Sequence, residues 1–189
     1  MNVEFLAELI EHKVAPTPLI AVQGLIDTQD HETDMELLGD PEATREWLLG
    51  AGLLDEGSKV SEQDHRDLLD LRRTLRSLLV AQAHGERDGQ AIAELRRLSY
   101  EHLTGYDVSD EGVVALCVKP VENVSELIGQ LIGIVGQAQD LDQWRRLKIC
   151  ASDECLWAFY DSSKNRSGSW CRMEVCGNRT KNRRYRSHA

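Results

Sequence analysis

Long apolar runs are missing from this sequence. No segment holds 18 consecutive apolar residues, and the best candidate, residues 127–138, is short and interrupted by Gln130 and Gln137. No membrane-spanning helix is expected, because crossing the hydrocarbon takes about 20 apolar residues. The first residues, MNVEFLAELIEH, have no basic stretch ahead of an apolar run, so no signal peptide is expected. The chain reads as soluble and cytoplasmic. Nucleotide-binding glycine motifs are also missing, both the P-loop and GxGxxG. His31-Glu32 lacks the second histidine of HExxH, since position 35 is Met. The acids around it have no glycine where a calcium loop needs one, so the stretch reads as a solvated acidic loop. The six histidines, at 12, 31, 65, 84, 102 and 188, share no recognisable spacing, and no Ser-His-Asp set is suggested locally. The chain does not read as an enzyme.

Basic residues are scarce in the first three quarters. The whole chain has 22 Lys/Arg and 32 Asp/Glu, a net charge of −10. Residues 145–189 hold 11 of the bases and only 4 of the acids, a charge of +7, which leaves −17 on residues 1–144. An acidic body with a basic tail is the footprint of a nucleic-acid-binding appendage. The competing reading is that the tail only balances the body's charge.

The chain is long enough for one sizeable core and a small appendage. Its hydrophobic content of 41% and charged content of 29% fit a globular protein. The expected fold class is mainly α with a small β-hairpin: a helical N-terminal domain over 1–142 and a four-cysteine finger over 143–189. Short helices are expected over 2–13 and 19–28. Asp40-Pro41 caps the next, and Gly50 and Gly52 end it. Ser61 with Asp64 starts a long helix whose Leu68, Leu71, Leu75, Leu78 and Leu79 form one stripe, the central core helix. Arg72 and Arg76 lie one turn apart on it. Solvation is their default, and pairing around an anion is the alternative. A further helix spans 90–103. Residues 112–118 are the one convincing β-type run, with 106–109 as a partner, and Cys117 within it reads as a buried thiol. Ser125 is expected to cap a helix to about Ala138, followed by a linker over 139–142.

Four of the five cysteines, Cys150, Cys155, Cys171 and Cys176, form C-x4-C, fifteen residues, C-x4-C. This pattern suits one tetrahedral Zn²⁺, with paired sulfurs about 4 Å apart on bonds of roughly 2.3 Å. A redox pair or disulfides are the alternatives. Four thiolates fill a zinc and leave no open position for water or substrate, so the ion reads as structural rather than catalytic. Leu156, Trp157, Phe159 and Trp170 are placed to pack a small core around it. Gly177 allows a tight backbone there, with an amide available to a thiolate. Beyond it the chain reads as helical, with Arg179, Arg183 and Arg186 on one side and Lys181 and Arg184 on another. Arginines at this spacing track a phosphate backbone. Asn178 and Asn182 carry short amides of the kind that read adenine edges. Arg166 and Arg172 complete the candidate interface with double-stranded DNA.

Cys176-Gly177-Asn178-Arg179 spells CGNR. Cys150-x4-Cys155, Phe159-x-Asp161, Asn165-Arg166 and Trp170-Cys171 surround it, with Lys181, Arg183 and Arg184 behind. The chain resembles the bacterial CGNR zinc-finger proteins. That family carries an N-terminal ABATE domain, described as a stress-induced transcription regulator. Residues 71–76, LRRTLR, resemble its arginine-bearing central helix. Leu25-Ile26-Asp27-Thr28 resembles its early motif, with Asp27 in place of the usual asparagine. Ser167-Gly168-Ser169 stands where the family often has arginines, which thins the basic surface. The resemblance implies zinc on the four cysteines and a DNA-binding role. Asp27, Thr28, Arg72 and Arg76 are the candidate ligand residues of the N-terminal domain, whose expected work is to receive a small-molecule signal or to form a homodimer. Two other readings compete. One is an adaptor whose basic tail docks on an acidic partner or on its own body. The other is an enzyme that uses Asp27, Arg72 and Arg76 on a small anion.

Overall fold

The computed structural model describes residues 1–187 apart from 104, 109, 111, 113 and 117–119. Helices build most of it. α1 (Val3–Ile10) starts at Asn2, whose side chain accepts from the Phe5 amide, and turns Leu6 and Ile10 inward. α2 (Ile20–Ile26) is buried along its whole length. It is flanked by α1, by the long helix and by the last helix of the body, so it has no solvent face that would call for polar residues. A short hairpin follows, β1 (Gln29–Asp30) against β2 (Met35–Glu36). α3 (Pro41–Gly50) has the expected start, with Asp40 accepting from the Ala43 amide and proline in the first turn.

α4 (Glu62–His84) is the central helix. Its capping box of Ser61 and Asp64 is complete, and Gly85 closes it in the left-handed conformation at φ 67°. Leu68, Leu71, Leu75 and Leu79 are fully buried, as their spacing predicts, and Leu78 is half-buried at the stripe's edge. α5 (Gly89–Glu101) packs along it. β3 (Tyr106–Val108) and β4 (Val114–Leu116) form the expected antiparallel hairpin. Cys117 lies outside the described residues. α6 (Val124–Asp140) differs from expectation at both ends. Its cap is Asn123, which accepts from the Glu126 amide, rather than Ser125, and its last turn takes in the first half of the expected linker. Ser125 is instead bonded to His102 Nδ1 at 2.9 Å.

A single 3₁₀ turn, Trp144–Arg146, leads into β5 (Leu147–Ile149), which pairs antiparallel with β6 (Ala158–Tyr160). This hairpin lies in the same hydrophobic cluster as the helices: Leu147, Ile149 and Ala158 join Leu6, Leu25 and Leu79 in it. Polar bonds fix the join. Asp27 Oδ1 accepts from the Ala158 amide at 2.7 Å, and Gln23 Nε2 donates to the Ala158 carbonyl at 3.2 Å. Gln23 Oε1 accepts from Ala15, and the Tyr160 amide donates to the Lys13 carbonyl. From α4, Gln82 donates to the Leu147 carbonyl.

Asp27 is fully buried, and among the described residues its Oδ2 has no hydrogen-bond partner. Burial pushes its carboxyl well above the ordinary range, against the bond from Ala158 and the charge of Arg76. A protonated aspartic acid has the shape of asparagine, the residue usual here in the family the chain resembles. The folded chain therefore holds this proton more tightly than the unfolded chain. The stability it contributes is complete below the unfolded value and is lost as pH rises through the folded one. Asp27→Asn removes the titration and keeps the shape. The variant should match the parent's melting temperature below about pH 4 and exceed it above neutrality, by about 2–4 °C for each kcal/mol recovered. A melting curve unchanged at both pH values would contradict this account.

Candidate metal centre and basic helix

β5 delivers Cys150 directly after Ile149, and the Cys150 amide donates to the Trp157 carbonyl. A tight turn follows, closed by the Cys155 amide on the Ser152 carbonyl at 2.9 Å. The second pair is brought alongside by the Ala151 amide, which donates to the Ser169 carbonyl at 2.8 Å. A π-helical turn, Met173–Gly177, then winds Cys176 back over Cys171. The extra residue per turn moves a side chain out of helical register, a device frequent at functional sites. A Cβ at Gly177 would lie 2.4 Å from the Met173 sulfur, so any larger residue there would have to displace the exposed Met173 side chain. The Gly177 amide goes to the Arg172 carbonyl at 3.3 Å rather than to a thiolate.

The four Sγ atoms all lie within 4.8 Å of one another. Cys155 and Cys171 are 3.7 Å apart, and Cys171 and Cys176 are 3.6 Å apart. Zn–S bonds of about 2.3 Å in a tetrahedron put sulfurs about 3.8 Å apart, so the donor set fits zinc in type and in spacing. All four cysteines are buried and unbridged, which sets aside the disulfide reading. Burial raises the Cys176 thiol above its ordinary value, so metal uptake there must expel a proton. Phe159 is fully buried beneath the sulfurs, with Trp157, Trp170 and Val175 around them. Leu156, expected in this group, packs instead against the main core. Lys13 of the body reaches in: its ammonium lies 4.7 Å from the Phe159 ring centre and donates to the Trp170 carbonyl.

Asp161 orders the loop between the cysteine pairs. It accepts from Lys148 at 2.8 Å, from the Gly168 amide at 2.7 Å and from the Ser163 amide at 3.1 Å. Burial opposes its ionisation, but Lys148 and these donors outweigh burial and hold the carboxyl well below its usual range.

α7 (Asn178–Ser187) grows directly out of the π turn, so the metal cluster sets its direction. Lys181, Asn182 and Arg186 are exposed, and among the described residues Lys181 and Arg186 have no acidic partner. Arg179 bonds Glu32 of the β1–β2 turn at 2.6 Å, and Arg183 bonds Glu154 of the finger at 2.8 Å. Arg172 faces Glu11 at 3.6 Å, and Arg166 pairs with Asp142 at 2.5 Å. Asn178 donates to the Glu174 carbonyl. The Arg184 side chain lies outside what the structure describes.

The four candidate ligand residues come together beneath the β1–β2 hairpin, but the arginines are not solvated as expected. Arg72 is buried, donates to Thr28 at 2.9 Å and grips both oxygens of Glu36 at 2.6 Å. Arg76 donates to the Ile26 carbonyl at 2.6 Å and to the Gln29 side chain at 2.7 Å. The anion held by Arg72 is thus a carboxylate of the chain itself. Sequence reasoning missed Glu11, Glu32, Glu36 and Lys13, because a local pattern does not tell a paired charge from a solvated one.

The arrangement defines a helical body carrying a four-cysteine metal finger. Comparison with protein families places it further. The ABATE model, described as "Putative stress-induced transcription regulator", matches residues 21–121, and the CGNR zinc-finger model matches residues 146–189. The chain belongs to the ABATE family and carries a CGNR zinc finger that binds one structural zinc ion. No curated protein matches it. Among the described residues, no helix is long and apolar enough to cross a membrane.

The purified chain should carry one zinc ion, which a chromogenic thiol-displacement assay would count. Protons compete with metal for the thiolates, so retention should fall as pH drops below neutrality. Cys171→Ser should abolish stoichiometric retention while the helical circular dichroism of the body persists. Full zinc retention by that variant would contradict the four-sulfur site.

Proposed function

We propose that the chain is a zinc-dependent transcriptional regulator that binds double-stranded DNA and performs no catalysis. The body, 1–142, receives a signal or dimerises, and the finger, 143–189, contacts DNA. The observation that carries this reading is the basic helix α7, rooted in the metal turn and exposing Lys181, Asn182 and Arg186. Arg166, Arg172, Arg179, Arg183 and Arg184 extend its cationic set toward phosphate contacts. Asn178 and Asn182 lie on the same helix as the candidates for base edges. One finger makes few contacts, and a homodimer would raise affinity through effective concentration.

A second reading, self-docking of the tail, rests on a specific observation. Arg179 and Arg172 already hold Glu32 and Glu11 of the acidic body. DNA phosphates would have to exchange with these carboxylates. The pairs are exposed and therefore weak, which makes the exchange a modulation rather than a block.

Fluorescence anisotropy with a labelled duplex tests both readings. Affinity should fall with salt at a logarithmic slope of about 0.9 per phosphate neutralised, and Lys181→Ala should reduce that slope by about one. Glu32→Gln should strengthen binding roughly two- to fivefold at low salt, the scale of an exposed ion pair. Absence of DNA association by the zinc-loaded chain at low salt would overturn the regulator reading. Equal affinities of parent and Glu32→Gln would overturn self-docking.

A further inference from the structure

Where α1, the β1–β2 hairpin and the metal turn meet, they leave a cavity of about 330 Å³. This is within the size range of sites for small organic molecules. Leu9, Ile10, Met35 and the Trp157 indole give it apolar walls, and Cys155, Cys171 and Cys176 line its inner side. Its charge is one-sided. Glu8, Glu11, Asp30 and Glu32 line it, against the guanidinium of Arg172 and the exposed ring of His12. A zinc ion held by four thiolates adds further negative charge at the inner side.

The carboxylates differ in what already satisfies them. Asp30 is occupied by its own turn, accepting from the Glu32 amide and the Thr33 hydroxyl, both at 2.8 Å. Glu11 and Glu32 are met by arginines from the finger, Arg172 and Arg179. Among the described residues, Glu8 has no ionic partner. A concave site with apolar walls focuses this field on whatever enters it. An anion would be repelled. A neutral apolar molecule would gain nothing from the rim, and a small hydrated cation would gain nothing from the walls.

We propose that this cavity is a binding site for a small organic cation with an apolar body, an aromatic or branched aliphatic amine. Its ammonium group faces Glu8, Glu11 and Glu32, and its apolar body lies between Met35 and the Trp157 indole, whose face attracts cations. The ammonium takes the place that Arg172 and Arg179 hold on Glu11 and Glu32, and so frees two of the arginines assigned to DNA. As a binding site the cavity stands apart from the regulator reading; as an effector site it rests on that reading.

Isothermal titration calorimetry on the zinc-loaded full chain, without DNA, tests the site with three probes. Phenethylamine combines charge and ring, phenylethanol keeps the ring alone, and spermidine keeps charge alone. The amine should bind saturably at one site per chain, and the other two about tenfold more weakly, the scale of a desolvated cation over a ring. Glu8→Gln and Glu32→Gln are surface changes that should leave folding intact, and each should weaken the amine about threefold. Equal binding of amine and alcohol, equal binding of amine and spermidine, or an amine affinity untouched by both variants overturns the site. In the anisotropy titration, saturating phenethylamine should strengthen duplex binding by the parent chain and leave unchanged the affinity of a Glu11→Gln/Glu32→Gln double variant, in which neither ion pair is left for the amine to break. A parent chain that binds both amine and DNA, with neither affecting the other, overturns the effector role and leaves the regulator reading standing.

Discussion

Four sulfur atoms have to meet for the last forty residues to have a shape. The stretch after Ile149 holds few large apolar side chains, and among the described residues only Phe159 with the two indoles and Val175 gathers around the sulfurs. A core of that size does not outweigh the entropy of ordering so many residues. Zinc on Cys150, Cys155, Cys171 and Cys176 supplies the missing free energy and sets the geometry. The π turn that returns Cys176 to Cys171 is also the start of α7, so the metal aims the basic helix. The body meets this cluster on its other side. Asp27 and Gln23 hold both polar groups of the Ala158 peptide, Lys13 covers Phe159, and the β5–β6 hairpin lies in the main core.

The charge asymmetry of the sequence is realised in space as contact. Glu11, just past the end of α1, and Glu32 of the β1–β2 turn face arginines of the finger. Such exposed pairs are individually weak and screened by salt, which suits a surface that exchanges one anionic partner for another. The buried guanidinium of Arg72 behaves differently. Arg72 and Glu36 form a bidentate pair whose separation would strand a guanidinium in the core, so they hold the hairpin to α4.

Much of this was legible because its physics is local. Cysteine pairs five residues apart announce a metal, since one turn must hold both ligands. The Ser61–Asp64 box, the Asp40-Pro41 start and the leucine stripe of α4 each depend on residues within a few turns. What was not legible depends on partners far along the chain. Asp27 meets Ala158 across 131 positions, and Arg72 meets Glu36 across 36. A helical arginine bears no mark that separates burial against such a partner from solvation. The cap of α6 was misplaced for a smaller reason. Asn123 and Ser125 are both good caps, and only the bond between Ser125 and His102 shows which of them was free to serve.

The central claim is that metal orders the finger while a body already folded receives it. Hydrogen–deuterium exchange on the zinc-loaded and the chelated full chain tests this directly. The account predicts that chelation strips protection from residues 150–157 and 161–187 and weakens it at Ala158, while the amides of α4 and α6 exchange as slowly as before. Protection across 150–176 that survives complete removal of zinc would contradict it.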